Sequence, residues 1–298
     1  MGVLNRTVRW VSNPQRIEYE ADPRRAEIAI AALELQAGKG VSSPAVKLTA
    51  DELERGEAVL SRDKAKLYRS VAMRLQYLAQ DRPDIQFPCK QRARFMAQPA
   101  ERDWTALKRI ARYLVSHPRL VWRFPLQRRP TTAVAFADSD HGGCLLTCKS
   151  TTGVALMLGN HCIRTNSNTQ ADLSLSSGEA EFYGAIKGSS VGLGAVAMMA
   201  DLGSPVKLEL RMDSTAGKAI SERRGLGRTR HIATRYLWVQ QRVAAGDFSV
   251  VKWPGPDNPA DLGTKVLPWA TIAAHLARLN CCVISGRAAG ALQVQQGV

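Results

Sequence analysis

The sequence lacks the features of a membrane or secreted protein. Its most apolar stretch, residues 191–200, is half the length that a membrane-spanning helix needs. The start of the chain contains no apolar signal core. Only six cysteines occur in 298 residues, and a chain of this length can build a hydrophobic core without disulfides. These absences predict a protein of a reducing intracellular compartment, cytoplasm or nucleus, with no membrane partner.

Acidic residues are also scarce. The chain has 26 of them against 41 lysines and arginines, a net charge of +15, while 45% of its residues are hydrophobic. Residues 62–130 carry +12 of this charge, whereas residues 1–61 carry −1 and residues 131–298 carry +4. We therefore expect a hydrophobic core and a surface for an anionic partner, with nucleic acid as the first candidate. A solvated basic face is the common alternative for any charge run.

The basic segment is predicted to be mostly helical. Apolar residues recur every three or four positions over residues 104–114, and a second helix is predicted over residues 67–79. The first of these helices presents Lys108, Arg109 and Arg112 on its other faces, and these are candidate phosphate contacts. An ordinary amphipathic helix pair has the same pattern, so the nucleic-acid role of the three residues is a hypothesis.

After residue 131 the pattern changes to alternating strands and helices. Strands are predicted over residues 133–137, 152–158, 162–167, 206–212 and 248–253. Ser176 and Glu179 form the Ser-x-x-Glu capping signature of a helix that reaches about residue 200. A basic helix is predicted over residues 229–245, and a final helix after Asp261. This order predicts an α/β fold with a mixed sheet flanked by helices.

Four acids stand where strands end or helices begin in this layout: Asp138, Glu181, Asp213 and Asp261. Ligands of α/β folds bind at the carboxyl ends of strands, so these side chains are expected to converge. Converging carboxylates repel one another unless cations or shared protons neutralise them. Oxygen ligands favour Mg²⁺ or Mn²⁺, and two such ions can support phosphodiester hydrolysis. Each acid alone would more simply be a turn or surface residue, and only their joint placement indicates a metal site.

Six sequence blocks occur in the order known from one family. They are ADSDHGG, KSTTGVALMLG, LSSGEAEFYGA, RMDSTAGKAI, RTRHIATRY and NPADLGTK. On these blocks the chain resembles the ribonuclease H domain in the Pol polyproteins of Ty1/copia-type long-terminal-repeat retrotransposons. Upstream, IEYEADPRRAEIAI looks like the end of that family's reverse transcriptase, and YRSVAMRLQYLAQDRPDI looks like its connection. The resemblance covers most of residues 15–270.

The resemblance implies a ribonuclease H-like fold that cuts the RNA strand of an RNA–DNA hybrid with two Mg²⁺ or Mn²⁺ ions. The family's four acidic ligands fall on Asp138, Glu181, Asp213 and Asp261. By this resemblance, Asp138 would bridge the two ions and Asp261 would complete the site on the side of the nucleophile. Glu181 and Asp213 would hold the other ion.

Two of these assignments have a neighbouring alternative. Asp140 lies two residues after Asp138, on the same face of a strand, and Glu179 lies two residues before Glu181, on a different face of a helix. The position within each family block favours Asp138 and Glu181.

Further candidates for hybrid contacts follow the third acid. They are Ser214, Arg228, Arg230 and His231, the last two expected in the basic helix. The arginines are equally explained as the solvated face of that helix. The chain also departs from the family, because it has Ala233 where an acid is common.

The resemblance divides the chain into four segments. Residues 1–60 correspond to a reverse transcriptase remnant and linker, 61–130 to the basic, mostly helical connection, 131–280 to the ribonuclease H-like domain and 281–298 to a tail. No Tyr-x-Asp-Asp motif is present, so no polymerase activity is expected. The implied partners are an RNA–DNA hybrid and other polyprotein segments such as reverse transcriptase. The alternatives are a catalytically inactive nucleic-acid-binding remnant and a structural segment that functions only beside a polymerase.

Overall fold

The computed structural model describes residues 2–47, 49 and 57–294. The chain forms two compact units, one from Met1–Leu126 with Val266–Val298 and the other from Gln127–Lys265. The second unit is shorter than the segment 131–280 of the sequence-based division, because residues 266–280 belong to the first unit. Residues 50–56 of the predicted linker region and residues 295–298 of the predicted tail lie outside the described residues.

The secondary structure of the described residues consists of strands and α-helices in both units. The strands are β1 (Gly2–Val3), β2 (Arg6–Ser12), β3 (Gln15–Glu20), β4 (Arg119–Pro125), β5 (Thr132–Ser139), β6 (Thr151–Leu158), β7 (His161–Thr169), β8 (Lys207–Met212), β9 (Phe248–Lys252) and β10 (Cys281–Ile284). The α-helices are α1 (Arg24–Ala32), α2 (Arg62–Leu78), α3 (Pro83–Ala93), α4 (Glu101–Ser116), α5 (Ser177–Asp201), α6 (Thr215–Glu222), α7 (Trp238–Ala244) and α8 (Trp269–Arg278). None of these described helices has the length and apolar character that crossing a membrane requires.

The first unit contains an antiparallel sheet with the strand order β1-β2-β3-β4-β10. The sequence patterns predicted none of these strands. Charged side chains of β2 and β3 pair with each other across the sheet, as Arg9 does with Glu18 and Glu20. Such strands lack the continuous apolar face that makes alternation visible in a sequence.

The helices of the first unit bury a common apolar core. Leu107 and Leu114 of α4 lie on the face that the three-to-four spacing predicted, and both are fully buried. The helix predicted over residues 67–79 is confirmed as the greater part of α2, which begins after Ser61. The hydroxyl of Ser61 accepts a hydrogen bond from the backbone N–H of Lys64, which satisfies one free donor of the first turn.

The second unit contains a five-stranded mixed sheet with the order β7-β6-β5-β8-β9. On one side of β5, the pairs β5–β6 and β6–β7 are antiparallel, and on the other side β5–β8 and β8–β9 are parallel. The predicted hairpin about Gly159 and Asn160 is confirmed, and so is the strand predicted from the alternation over residues 206–212. This sheet is the mixed α/β arrangement that the sequence predicted.

Helix α5 covers this sheet and carries one of the candidate acids. It begins after Ser176, whose hydroxyl accepts a hydrogen bond from the backbone N–H of Glu179 at 3.2 Å. The predicted helix start is therefore confirmed. Phe182 and Ala185 of α5 are fully buried against the alanines of β5, including Ala135. Small residues on β5 let the helix approach the sheet closely, which brings the first turns of α5 to its carboxyl edge.

The prediction of one basic helix over residues 229–245 is wrong. Residues 223–233 form turns, Thr234–Leu237 form a 3-10 helix, and only Trp238–Ala244 are α-helical. Just before the predicted start, Gly225 and Gly227 adopt positive φ angles, so the chain turns there. His231 and Arg230 consequently lie in an irregular segment rather than on a helix face.

Candidate metal centre and nucleic-acid surface

Three of the four predicted acids meet at the carboxyl edge of the mixed sheet. Asp138 lies in β5 and Asp213 directly follows β8, and because these strands are parallel neighbours their carboxyl ends meet at one edge. Glu181 reaches the same edge from the second turn of α5. One carboxylate oxygen from each of the three residues lies within 4.8 Å of the other two. This group is the geometry expected of oxygen ligands that share divalent cations.

The carboxylates of the two neighbouring alternatives, Asp140 and Glu179, are not part of this group of three acids. The carboxylate of Asp140 accepts a hydrogen bond from the backbone N–H of Thr151, at the base of the loop that follows β5. The carboxylate of Glu179 accepts hydrogen bonds from Leu175 N, Tyr183 Oη and His231 Nε2 at 2.8–2.9 Å. Burial by itself would raise the pKa of Glu179, but the hydrogen bonds from these three groups hold it below its usual value.

The fourth acid, Asp261, lies in a 3-10 turn, Pro259–Gly263, beside the group of three. Lys265, one turn later, donates from Nζ to Asp261 Oδ1 at 2.7 Å and to Asp138 Oδ1 at 3.2 Å. Thr264 donates from Oγ1 to the other oxygen of Asp138. Asp261 is therefore linked to Asp138 through a shared ammonium group. The sequence analysis missed both Thr264 and Lys265, although both stand in the NPADLGTK block.

Asn258 and Gly153 hold this turn against the sheet. Asn258 is fully buried, donates from Nδ2 to the carbonyl oxygen of Ala137 at 2.9 Å and accepts from the backbone N–H of Ala260. Gly153 on β6 has no side chain, and a Cβ there would lie 2.2 Å from the carbonyl oxygen of Ala260. A glycine is therefore required at this close approach. The turn is thus fixed beside Asp138 by contacts more than 100 residues apart in sequence.

The carboxylates strongly perturb one another. Burial, followed by the charges of Asp138 and Asp213, raises the pKa of Glu181 to about 9. Burial and the Asp138 charge raise the pKa of Asp261 to about 7 and also raise that of Asp213. Burial opposes the charged form of Lys265, but Asp138 and Asp261 outweigh it and raise the pKa of this lysine. Without further cations, the site holds protons on some of its acids at neutral pH.

The residues fit divalent cations. Glu181 Oε2 is buried and has no hydrogen-bond partner among the residues that the structure describes. An unpartnered buried carboxylate oxygen is costly unless something other than protein binds it. Asp138, Glu181 and Asp213 could hold an ion between them, while Asp138 with Asp261 could hold a second once Lys265 exchanges its partners. Hard oxygen donors of this kind suit Mg²⁺ or Mn²⁺.

The raised pKa values predict an unusual pH dependence of stability. The folded protein retains a proton on Asp261 up to about pH 7 and one on Glu181 up to about pH 9, whereas the unfolded chain has released both by about pH 5. The free energy of unfolding therefore falls as the pH rises from about 5 to 9. In EDTA we expect the melting temperature to fall by roughly 5 °C or more across this range. Millimolar Mg²⁺ or Mn²⁺ should largely remove the fall, and Glu181→Gln should flatten it in EDTA. A melting temperature that rises with pH in EDTA would contradict this account.

The side chains predicted to bind nucleic acid in the first unit differ in how free they are to contact a phosphate. Arg109 donates from Nε to the carbonyl oxygen of Ser43 at 3.1 Å, and Lys108 lies 5.5 Å above the ring of Trp104. Arg112 is exposed. In the second unit, Ser214 caps helix α6, since its hydroxyl accepts from the backbone N–H of Gly217 at 3.0 Å. A role for any of them in binding nucleic acid stays a prediction.

Residues 223–235, the arginine segment, form a basic surface of the second unit. Residues 223–246 contain six arginines and no acid. Arg224, Arg228 and Arg230 are exposed and have no recorded hydrogen bond or ion pair with the described residues. By contrast, Arg235 lies 3.4 Å from the carboxylate of Asp172. Exposed arginines without protein partners suit phosphate groups.

Comparison with known proteins supplies the family. Over 207 residues the chain is 32% identical to the retrovirus-related Pol polyprotein from transposon RE1 of Arabidopsis thaliana, and the match covers 67% of this chain. Over 204 residues it is 30% identical to the Pol polyprotein from transposon RE2 of the same plant, again over 67% of this chain. The chain belongs to the retrovirus-related Pol polyproteins of transposons. The Pol polyprotein from transposon TNT 1-94 of Nicotiana tabacum is 29% identical over 193 residues.

The chain spans 14% of the length of each of those three polyproteins. No protein-family model matches the chain. Among solved structures, RNase H1 from Halobacterium salinarum aligns over 43% of this chain and 89% of its own, with 19% identity and a TM-score of 0.27. The foamy viral protease-reverse transcriptase in complex with double-stranded DNA aligns over 70% of this chain and 42% of its own, with 11% identity and a TM-score of 0.41.

Proposed function

We propose that this chain is a metal-dependent endonuclease that hydrolyses the RNA strand of RNA–DNA hybrids. The observation that carries the proposal is the group formed by Asp138, Glu181 and Asp213, in which Glu181 Oε2 is buried without a partner among the described residues. Divalent cations bound there would supply an activated water and stabilise the leaving oxygen of a phosphodiester. The second unit, in which these acids lie, is the proposed nuclease. The chain carries no Tyr-x-Asp-Asp polymerase motif.

Each acid has a distinct proposed role. Asp138 is central, because it shares Lys265 with Asp261 and also lies in the group with Glu181 and Asp213. It would contribute to both ions, with Asp261 completing one site and Glu181 with Asp213 the other. Lys265 keeps the local charge balanced until cations enter.

The exposed arginines of residues 223–235 are the proposed contact with the hybrid. Arg224, Arg228 and Arg230 present guanidinium groups that can bind backbone phosphates in a bidentate manner. Phosphate contacts position the duplex without reading its sequence, and RNA is distinguished by its 2′-hydroxyl groups in the wide minor groove. We therefore propose cleavage with little sequence preference. Other segments of the polyprotein, such as reverse transcriptase, are proposed partners.

A cleavage assay tests this function. The full chain is incubated with a hybrid that carries a labelled RNA strand, with DNA and RNA duplexes of the same sequence as controls. We expect cleavage of the RNA strand of the hybrid in Mg²⁺ or Mn²⁺, none in EDTA, and no cleavage of either control duplex. Folded protein that leaves the hybrid intact in both metals would refute the proposal.

A nucleic-acid-binding remnant without catalysis is the second candidate. The unpartnered arginines and the +12 charge of residues 62–130 favour it. It predicts hybrid binding that weakens steeply with salt and is unchanged in EDTA, without cleavage under any condition. The same samples measured by fluorescence anisotropy therefore separate the two functions.

A further inference from the structure

His231 and Glu179 connect the arginine segment to the helix that carries Glu181. His231 Nε2 lies 2.8 Å from Glu179 Oε2, although the two residues are 52 positions apart in sequence. The side chain of Glu179 is 1% exposed and that of His231 is 42% exposed. Because an ionised carboxylate can only accept hydrogen bonds, His231 Nε2 carries the hydrogen and donates it.

Glu179 joins three parts of the second unit at a single buried carboxylate. Its Oε1 accepts from Tyr183 Oη, one turn further along α5, and its Oε2 accepts from Leu175 N, just before the helix. The third donor, His231, comes from the arginine segment. Glu179 therefore has its acceptor sites occupied and is held in one orientation, on a face of α5 different from that of Glu181.

The arginine segment has other attachments besides His231. Arg235 lies 3.4 Å from the carboxylate of Asp172, and Arg223 donates to the carbonyl oxygen of Leu226 and to Thr229 Oγ1 within the segment. Ile232, next to His231, is 3% exposed within the apolar core, and Gln240 of α7 donates to the carbonyl oxygen of Gly225 at 3.1 Å. Between these points the backbone forms turns with positive φ at Gly225 and Gly227. Apart from Ile232, these contacts are partly or fully exposed, so the segment opens locally at a lower free-energy cost than the buried sheet. His231 follows Arg230 directly and follows Arg228 by three residues. Its hydrogen bond to Glu179 therefore restrains the backbone that positions these two arginines.

We propose that the His231–Glu179 hydrogen bond is a latch that holds the arginine segment in the conformation that binds the hybrid backbone. His231 is thus a positioning residue that acts through Arg228 and Arg230, rather than a phosphate ligand. A backbone that is already held in place loses less conformational freedom on binding, so the latch strengthens binding of the substrate. This role rests on the proposed function for its substrate, but the latch itself is a property of the free protein.

Limited proteolysis tests the latch without any substrate or metal. Trypsin cleaves after exposed arginines, and it requires local opening of the segment. In His231→Ala we expect cleavage within residues 224–235 to be roughly tenfold faster than in the wild type, as one hydrogen bond to a buried carboxylate is lost. His231→Gln should restore slow cleavage, because its amide nitrogen can donate from a position similar to Nε2. Thr234→Ala, an exposed change in the same segment, is the matched control and should cleave at the wild-type rate.

Steady-state kinetics on the hybrid tests the consequence for binding. We expect His231→Ala to raise KM about tenfold and to change kcat by less than about threefold, since the acids are untouched. His231→Gln should recover most of the affinity, which a role as a charged phosphate ligand would not allow. Equal KM values for wild type and His231→Ala, or a Gln variant no better than Ala, would overturn the proposal.

The two proposals fail in different ways. If the wild-type protein neither binds nor cleaves the hybrid, the proposed function is lost, and trypsin cleavage alone then decides the latch. If the wild type cleaves but His231→Ala matches it in KM and in trypsin sensitivity, the function stands and the latch is overturned. Glu179→Gln provides a second route, because its effect on trypsin cleavage should not add to that of His231→Ala.

Discussion

Asp138→Asn is expected to abolish hydrolysis of the hybrid, lowering the rate by about 10³-fold in Mg²⁺. Asp138 is 1% exposed and is the acid through which the group with Glu181 and Asp213 is linked to Asp261. An amide has nearly the volume of the carboxylate and can still accept from Thr264, but it removes the negative charge that both proposed ions need. Single-turnover cleavage of a labelled hybrid measures the loss.

The control for this variant lies two residues away. Asp140→Asn makes the same chemical change in a side chain that accepts from Thr151 N and lies outside the group of three acids. We expect it to retain activity within about threefold of the wild type, since an amide oxygen can keep this hydrogen bond. Asp138→Asn should also melt no lower than the wild type in EDTA, because one of several repelling charges is gone. Activity in Asp138→Asn together with a large loss in Asp140→Asn would move the metal site to Asp140.

Asp84→Ala is expected to cost about 3–5 kcal/mol of stability. Arg82 and Asp84 form a buried pair in the first unit, with side chains 2% and 0% exposed and two hydrogen bonds of 2.9 and 2.7 Å. Tyr113 Oη also donates to Asp84 at 2.9 Å, and Arg82 donates to the carbonyl oxygen of His117 at 3.0 Å. Removing the carboxylate leaves a guanidinium buried without its counter-charge. Thermal unfolding should show a melting temperature lower by roughly 10 °C.

An exposed ion pair in the same unit provides the comparison. Glu101 pairs with Lys64 at 2.6 Å, and their side chains are 47% and 32% exposed. Glu101→Ala is expected to cost less than about 1 kcal/mol, because water already solvates both charges. The double change Arg82→Met with Asp84→Leu should recover much of the loss of Asp84→Ala, since no unpaired charge remains. Equal melting temperatures for Asp84→Ala and Glu101→Ala would contradict the importance of burial.

Local sequence patterns were sufficient for the sheet of the second unit and for the start of α5, but not for residues 229–237. The alternation over residues 206–212, the turn at Gly159 and Asn160, and the cap at Ser176 each involve residues within about ten positions of one another. Patterns of this range report directly on backbone conformation. The same patterns led to the expectation that Asp138, Glu181, Asp213 and Asp261 would converge, because ligands of α/β folds bind at the carboxyl ends of strands.

The first unit was harder to predict for a physical reason. β3 pairs with β4 across about 100 residues, and β4 pairs with β10 across about 160. Strands that pair at such distances leave no periodic pattern in the sequence when they are short and when their charged side chains neutralise one another. The wrong helix over residues 229–245 has another cause. Its basic residues are compatible with a helix, but His231 and Ile232 make tertiary contacts from an irregular backbone, and local spacing does not show such contacts.

By itself, the sequence determined the mixed α/β order of the second unit, the excess of positive charge and the four candidate acids. Only the tertiary structure decided that Asp138 rather than Asp140 faces the group, that Lys265 joins Asp138 to Asp261, and that Glu179 binds His231. The His231–Glu179 contact joins residues 52 positions apart, and the Lys265–Asp138 contact joins residues 127 positions apart. Their existence depends on sheet register and on how closely the turn at Asn258 approaches β5, and neither is written in the local spacing of side chains.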